Sequence, residues 1–146
     1  MKKISFLLAL LLCLSLAACG TPRAPEVTDN EWILGSVVSE KSGYSELVYV
    51  SDKYVSFFHE GEAVPPIDCT MTAKNGEITI VDKTSGKTYT GTYSDEEEFS
   101  PDATSCRVVI EGKKGRALTQ RLSDADGNDL YTMSLSVGGY ELFFMK

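Results

Sequence analysis

From Trp32 onward, short apolar runs and polar turn segments follow one another along the chain, and some runs, such as 87–93, also have a period of two. Short runs rich in Val, Ile, Thr, Tyr and Phe are separated by turn signals, of which Asn75-Gly76 is the strongest. No run has a 3.6-residue period long enough to predict a helix. The pattern predicts nine or ten short strands, from runs at 32–38, 47–50, 54–58, 69–73, 78–81, 87–93, 106–110, 117–122, 130–137 and 140–145.

Strands in such close succession predict an all-β fold. We expect a single antiparallel meander that closes into a barrel, with a two-layer β-sandwich as the alternative, because one flat sheet would leave an apolar face and two open edges. Tyr89, Gly91 and Tyr93 should share one face of their strand. In the run 130–137 the apolar residues do not keep a strict spacing of two, so we expect a bulge near Thr132.

The N terminus has the three parts of a secretory signal. Lys2 and Lys3 precede an apolar run at 4–14, and small residues follow it. The apolar run is shorter than the roughly twenty residues that a membrane-spanning helix needs. An ordinary cleaved secretory peptide is the alternative to a lipoprotein signal peptide at 1–18.

The tetrapeptide Leu16-Ala17-Ala18-Cys19 resembles the lipobox of bacterial lipoproteins. That resemblance implies cleavage before Cys19 and a diacylglycerol thioether on its thiol, with fatty acids such as palmitate as the membrane anchor. Two acyl chains on one residue supply the double signal that stable anchoring requires. We therefore expect a lipid-anchored protein of the cell envelope, on the extracytoplasmic face of a bacterial membrane.

The rest of the chain divides into a linker and one domain. Residues 19–30 contain the lipidated cysteine and a polar, proline-containing stretch that predicts a flexible linker, and residues 31–146 form the β domain. Without Lys2 and Lys3, the 14 basic residues become 12 against 21 acidic ones, a formal charge of −9. This surplus argues against nucleic acid as a partner. We expect a monomer that carries no cofactor.

Two cysteines remain after processing. Cys13 leaves with the signal peptide and Cys19 carries the lipid, so Cys69 and Cys106 are left in a compartment where thiols oxidise. A disulfide between them is one hypothesis. Two separate buried thiols are the alternative, because cysteine packs well as a small apolar residue.

Three features together resemble the small lipocalin-like domains of bacterial lipoproteins. They are Trp32 in the first strand, the Tyr89-x-Gly91-x-Tyr93 strand, and the closing segment Gly-Tyr-Glu-Leu-Phe-Phe-Met-Lys at 139–146. The resemblance covers most of residues 31–146, although Asn30 stands where lipocalins carry a glycine. It implies an up-and-down barrel, a small apolar ligand, and an arginine packed over the tryptophan. Arg121 is the first candidate for that arginine and Arg107 the second.

These features predict a non-enzymatic binding module for a small ligand or an envelope component. An interaction or inhibitor protein that docks on an extracytoplasmic partner through an exposed loop at 94–105 is the alternative. An envelope hydrolase ranks last, because the chain has no recognisable nucleophile and base. The aromatic residues expected to line either a core or a ligand cavity are Trp32, Tyr49, Tyr54, Phe57, Tyr89 and Tyr93.

Other candidates for chemistry have simpler interpretations. His59 is the only histidine and lacks metal-ligand spacing around it. The segment 124–129 resembles the opening of a calcium loop, but its glycine comes two places early, so we interpret it as a polar hairpin turn. The acidic run 95–98 is interpreted as a solvated loop. The basic cluster of Lys113, Lys114, Arg116 and Arg121 is interpreted as a charged hairpin tip, with contact to an anionic cell-wall polymer or a lipid headgroup as the alternative. We therefore assign no metal site.

Overall fold

The computed structural model describes residues 23–27, 30–41, 44–51 and 64–146, and it confirms the all-β prediction. Nine antiparallel strands follow one another along these ranges, and no helix occurs within them. The predicted strand at 54–58 lies outside the described residues. The strands are β1 (Glu31–Lys41), β2 (Tyr44–Val50), β3 (Cys69–Lys74), β4 (Glu77–Asp82), β5 (Lys87–Ser100), β6 (Ala103–Ile110), β7 (Lys113–Ser123), β8 (Asp129–Val137) and β9 (Tyr140–Met145).

The meander closes into an eight-stranded barrel through β1. One edge of β1 pairs with β9 from Ile33 to Ser39. Its other edge pairs first with β3, at Glu31–Ile33, and then with β2, at Ser36–Lys41. Strands β1 and β3 to β9 therefore form the ring, and β2 continues the sheet beside the C-terminal half of β1. The barrel prediction is confirmed over the sandwich.

Successive hairpins place their turns at alternate ends of this barrel. The turns at 83–86, 111–112 and 138–139 lie at one end, which we call the mouth. The turns at 75–76, 101–102 and 124–128 lie at the other, which we call the closed end. Each strand thus has a mouth-proximal and a closed-end terminus.

Two glycines allow strands to bend tightly around the ring. A Cβ atom on Gly91 would lie 2.2 Å from the carbonyl oxygen of Val109, and one on Gly115 would lie 2.1 Å from that of Ser136. No side chain fits at such distances, so only glycine permits this approach of the neighbouring strand. As predicted, Tyr89, Gly91 and Tyr93 share one face. It is the inner face, because Tyr89 and Gly91 pair with the buried Ile80 and Ile78 of β4.

The core fills the inside of the barrel from the closed end upward. Trp32, Leu135 and Phe144 are fully buried, and inward-facing residues of the other strands pack around them. Burial of these apolar side chains, at about 25 cal/mol per Å² of surface removed from water, is the main contribution to the stability of the barrel. Val27, which precedes β1, belongs to the same core cluster.

Two local predictions are wrong. β8 pairs with β7 and β9 in an uninterrupted register, so no bulge occurs near Thr132; the spacing fails only because Leu130 faces outward with 38% exposure. The acidic run 95–98 is also not a loop. It continues β5, where register shifts between Ser94 and Glu97 and between Glu98 and Ser100 keep the pairing with β6. Its side chains are all exposed, which removes the period that marks a strand.

Candidate functional site

A cavity of about 550 Å³ opens at the mouth. Its volume lies within the range of small-molecule sites. The apolar wall is built by inward-facing side chains from both sides of the ring and from the segment before β3. These residues are Leu34, Val37, Ile67, Ile80, Ile110, Val137 and Leu142.

Three tyrosines stand at the upper wall of the cavity. Tyr49 is on β2, Tyr89 on β5 and Tyr140 on β9, and between 36% and 41% of each residue is exposed. Tyrosine presents an apolar ring and a polar hydroxyl, which suits a position between a dry wall and water. The lining of the mouth is therefore apolar below these tyrosines and polar at their hydroxyl groups.

The carboxylate of Asp82 at the rim is engaged by the β4–β5 turn. Its oxygens accept hydrogen bonds from the backbone N–H groups of Thr84 and Ser85, at 2.9 and 3.1 Å, and from the Ser85 hydroxyl. Burial favours the protonated acid, but these hydrogen bonds and the charge of Lys87 outweigh it and hold the pKa of Asp82 below its usual value. This carboxylate fixes the turn.

The second rim carboxylate is also engaged. Oε1 of Glu111 accepts a hydrogen bond from the backbone N–H of Thr90 at 2.8 Å and lies 3.4 Å from its hydroxyl. The adjacent Lys113 differs, since its ammonium has no ion pair or hydrogen bond among the described residues. A Cβ on Gly138 would lie 2.7 Å from Cδ of Lys113, so the aliphatic part of the lysine runs along the β8–β9 turn. The rim therefore offers the ammonium of Lys113 and, beside Asp82, that of Lys87, which also lines the cavity.

The aromatic residues predicted to line a core or cavity separate into groups. Tyr49 and Tyr89 line the cavity. Tyr93 packs against the core, and Trp32 is fully buried in it. Tyr54 and Phe57 lie outside the described residues, as do Cys19 and His59.

The closed end is sealed by the segment 23–27 and by Trp32. Nε1 of Trp32 donates a hydrogen bond to the carbonyl oxygen of Val27 at 3.2 Å. The Thr119 hydroxyl donates to the carbonyl oxygen of Pro25 at 2.6 Å, and the N–H of Ala24 donates to that of Pro101 at 3.1 Å. This part of the predicted linker lies on the barrel.

The two cysteines of the domain are free and buried, and the structure contains no bond between them. Cys69 is on β3 and Cys106 on β6, three strand steps apart round the ring. A disulfide requires Cα atoms within about 7 Å, whereas adjacent strands alone are about 4.8 Å apart. Burial, reinforced by the charges of Asp82 and Asp68, raises the pKa of the Cys69 thiol to about 12. Burial and then Glu96 raise that of Cys106 to about 11.

The turn at 124–128 is the polar hairpin turn that the sequence predicts. Oδ1 of Asp124 accepts hydrogen bonds from the N–H groups of Asp126 and Asn128, at 2.9 and 2.8 Å, and Gly127 has a φ of 82°. The side chain of Asn128 also donates to Oδ2. These bonds hold the pKa of Asp124 below its usual value against the opposing effect of burial. In the part of the chain described, no three His, Cys, Asp or Glu residues are grouped as metal ligands would be.

The two arginines singled out from the resemblance occupy different places. Arg121 lies at the closed end, where its guanidinium binds Asp102 at 2.6 Å and Asp129 at 3.1 Å. Arg107 is exposed on the outer face and pairs with Asp95. Arg107 is therefore unsuited to packing over the buried Trp32.

A second, shallower depression lies on the outer wall. It measures about 310 Å³ and is lined by Phe99, Ser105, Arg116, Leu118, Ser134 and Ser136. Phe99 borders it with 78% of its surface exposed, the largest value among the apolar residues described. Arg116 donates a hydrogen bond to the Ser105 hydroxyl at 2.8 Å.

Several cavity residues were not singled out from the sequence. In the sequence, Ile80, Ile110 and Leu142 are ordinary apolar residues of predicted strands, and Lys113 belongs to a predicted hairpin tip. The order of the hairpin turns could have indicated them. In a meander every second turn lies at the same end of the barrel, so the residues next to those turns meet at one mouth.

Comparison with family models, with curated proteins and with solved structures finds no match for this chain. Within the described residues, no helical segment has the length and hydropathy needed to cross a bilayer.

Proposed function

We propose that this chain is a lipid-anchored binding protein of the cell envelope that holds a small, largely apolar ligand in the mouth of a lipocalin-like barrel. The single observation that carries the proposal is the cavity of about 550 Å³ with apolar walls. The proposed role of the cavity is ligand binding and not catalysis. The anchor is supported by the tetrapeptide Leu16-Ala17-Ala18-Cys19 after an apolar run.

The rim indicates the chemistry of the ligand. The carboxylates of Asp82 and Glu111 already accept hydrogen bonds from neighbouring N–H and hydroxyl groups. Lys113 has a free ammonium beside the cavity. A ligand with an apolar body and an anionic or strongly accepting end fits this arrangement, because its body would displace water from the walls and its end would meet the lysine.

The direct test is a fluorescence titration with 1-anilinonaphthalene-8-sulfonate, which has an apolar ring system and one anionic group. The protein is the chain without its first nineteen residues. We expect saturable enhancement with one site per barrel. Leu142→Trp fills the cavity and should weaken binding at least about tenfold, which corresponds to about 1.4 kcal/mol.

The matched control is Leu118→Trp, which makes the same change on the outer wall and should bind as the parent does. Equal weakening by both variants, or no saturable response in the parent, would contradict the proposal. Circular dichroism of each variant establishes that the barrel is intact.

A second candidate function is docking on an extracytoplasmic protein through the β5–β6 hairpin. The observation that favours it is the 78% exposure of Phe99 beside the outer depression. Aromatic side chains are enriched in the cores of protein interfaces, so an exposed phenylalanine beside a depression is a suitable anchor for a partner. Phe99→Ser should then abolish recovery of one defined envelope partner, whereas Phe143→Ser, on the outer face of β9, should not.

A further inference from the structure

The segment 23–27, which connects the proposed anchor to the domain, is held at the closed end. Arg23 lies 3.6 Å from Glu98, and the N–H of the next residue, Ala24, bonds to Pro101 in the β5–β6 turn. Val27 is fully buried below Trp32, and its N–H donates to Oε1 of Glu96 at 2.9 Å. With the Thr119–Pro25 and Trp32–Val27 hydrogen bonds described above, five contacts hold 23–27 against the end opposite the cavity.

The remaining tether is short. Four residue steps separate Cys19 from Arg23, and a fully extended chain covers at most about 3.5 Å a step, or about 14 Å. The barrel is longer than this. β6 runs seven steps from Ala103 near the closed end to Ile110 at the mouth, about 23 Å along the strand, or about 18 Å along the axis at a typical strand tilt.

These two lengths exclude one orientation. If the barrel stood upright with its mouth on the bilayer that holds Cys19, Arg23 would stand about 18 Å above that bilayer, the axial length of β6. The tether reaches only about 14 Å. An inverted barrel would therefore require the segment 23–27 to leave its contacts with Thr119, Glu96 and Trp32.

We infer that the ligand-binding mouth opens away from the anchoring bilayer, toward the aqueous space of the envelope. This inference rests on the proposed function. It specifies the source of the ligand: the cavity receives a ligand that arrives through water or from a structure facing the membrane, and not one that diffuses within the anchoring leaflet. The segment 23–27 is the positioning element.

The test measures the distance of each end from lipid in the full lipidated protein, reconstituted in phosphatidylcholine vesicles. A fluorophore is attached in Ser85→Cys, at the mouth, or in Asp126→Cys, at the closed end, and vesicles contain a lipid with a spin-labelled headgroup. Ser85 and Asp126 are both exposed, whereas Cys69 and Cys106 are buried. The parent chain, treated with the same reagent, measures labelling of the two native thiols.

We expect quenching at position 126 to be several-fold greater than at position 85. A Gly/Ser insert of about twelve residues between Pro22 and Arg23 extends the tether to an average span of about 20 Å and should remove most of this difference. Equal or greater quenching at position 85, or failure of the protein to stay on vesicles, would overturn the inference. A difference that the insert leaves unchanged would also overturn it, because another contact would then set the orientation.

This experiment is independent of ligand binding. Quenching is read without ligand, and titration with 1-anilinonaphthalene-8-sulfonate uses the chain without its anchor. Failure of the titration alone removes the proposed function, and failure of the quenching difference alone removes the orientation.

Discussion

The indole nitrogen of Trp32 donates a hydrogen bond to the carbonyl oxygen of Val27, five residues earlier in the chain, and both residues are fully buried. The bond joins the segment before β1 to the first strand of the barrel. Because an unpaired buried donor costs about 1–3 kcal/mol, the two residues stabilise each other's position. They seal the end of the barrel that lies opposite the cavity.

Val27→Ala should therefore destabilise the domain although it changes a residue outside the strands. Removing two buried carbon atoms at about 0.8 kcal/mol each, with a cavity left behind, predicts a loss of about 2 kcal/mol in the free energy of unfolding. Urea denaturation measures it. Val109→Ala is the matched control, because Val109 is 36% exposed on the outer face and its truncation should cost less than about 0.5 kcal/mol. Equal losses would show that 23–27 does not pack on the barrel.

Gly91→Ala should be more damaging than Gly112→Ala. At Gly91 the new Cβ would meet the Val109 carbonyl oxygen and the Ile110 side chain, and overpacking of this kind costs about 3 kcal/mol. At Gly112 nothing lies within 4 Å of the new atom, and only the φ of 75° opposes it, at about 1 kcal/mol. Thermal and urea unfolding of both variants provide the comparison, and the reverse order would contradict the barrel packing described.

Both thiols of the folded domain should resist alkylation at pH 8. Burial raises the pKa of Cys69 to about 12 and that of Cys106 to about 11, so few thiolates are present and neither is accessible. In denaturant both should react without reductant, adding two labels by mass spectrometry. Labelling that requires a reductant would establish a disulfide instead.

Stability should also fall in alkaline solution because of these thiols. Their pKa values in the fold lie above the unfolded value of 9.0, so the unfolded chain releases its protons first. The contribution of the neutral thiols is complete below pH 9 and decreases as the pH rises toward 11 and 12. Comparing urea unfolding of the parent with Cys69→Ala across this range isolates the effect of Cys69. A pH dependence that is the same in both chains would contradict it.

Asp124→Ala should lower the Tm at neutral pH, because Asp124 accepts hydrogen bonds from Asp126 and Asn128. Its pKa is lower in the fold than in the unfolded chain, so this stabilisation is present above about pH 4 and is lost as the pH falls through the folded value. The difference in Tm between parent and variant should therefore shrink in acid. Asp126→Ala is the control, since no described group bonds to its carboxylate. Added calcium that restores the Tm of the parent in acid would contradict a purely structural turn.

The strands could be predicted because the information for them is local. Short β-rich runs located β3 to β9 to within about four residues, except for the end of β5, and Asn75-Gly76 indicated the β3–β4 hairpin. Where the period is absent, prediction failed: the exposed side chains at 95–98 gave no sign that β5 continues through them. The bulge predicted near Thr132 is absent because Leu130, which breaks the spacing of two, faces outward in a regular strand.

The strand partners of β1 and the composition of the site depend on non-local pairing. The sequence does not reveal that β1 pairs with β2, β3 and β9, and this arrangement decides which side chains converge at the mouth. The aromatic residues are expected to line either a core or a cavity, and the sequence alone does not separate Tyr49 and Tyr89, which line the cavity, from Trp32, which lies in the core. The burial of Val27 could not be anticipated either, because a polar, proline-containing segment has no period that indicates packing. Compartment alone suggested the disulfide, and strand order keeps the two thiols apart.

The central claim is that the mouth of the barrel binds a small apolar ligand, and amide chemical shifts recorded during a titration test it most directly. With 1-anilinonaphthalene-8-sulfonate as the ligand, we expect saturable shifts at 84–86, 110–113 and 137–142, around the cavity. The closed-end turns at 75–76, 101–102 and 124–128 should keep their positions. Shifts centred on Phe99 and Leu118, or no saturable shifts, would contradict the account.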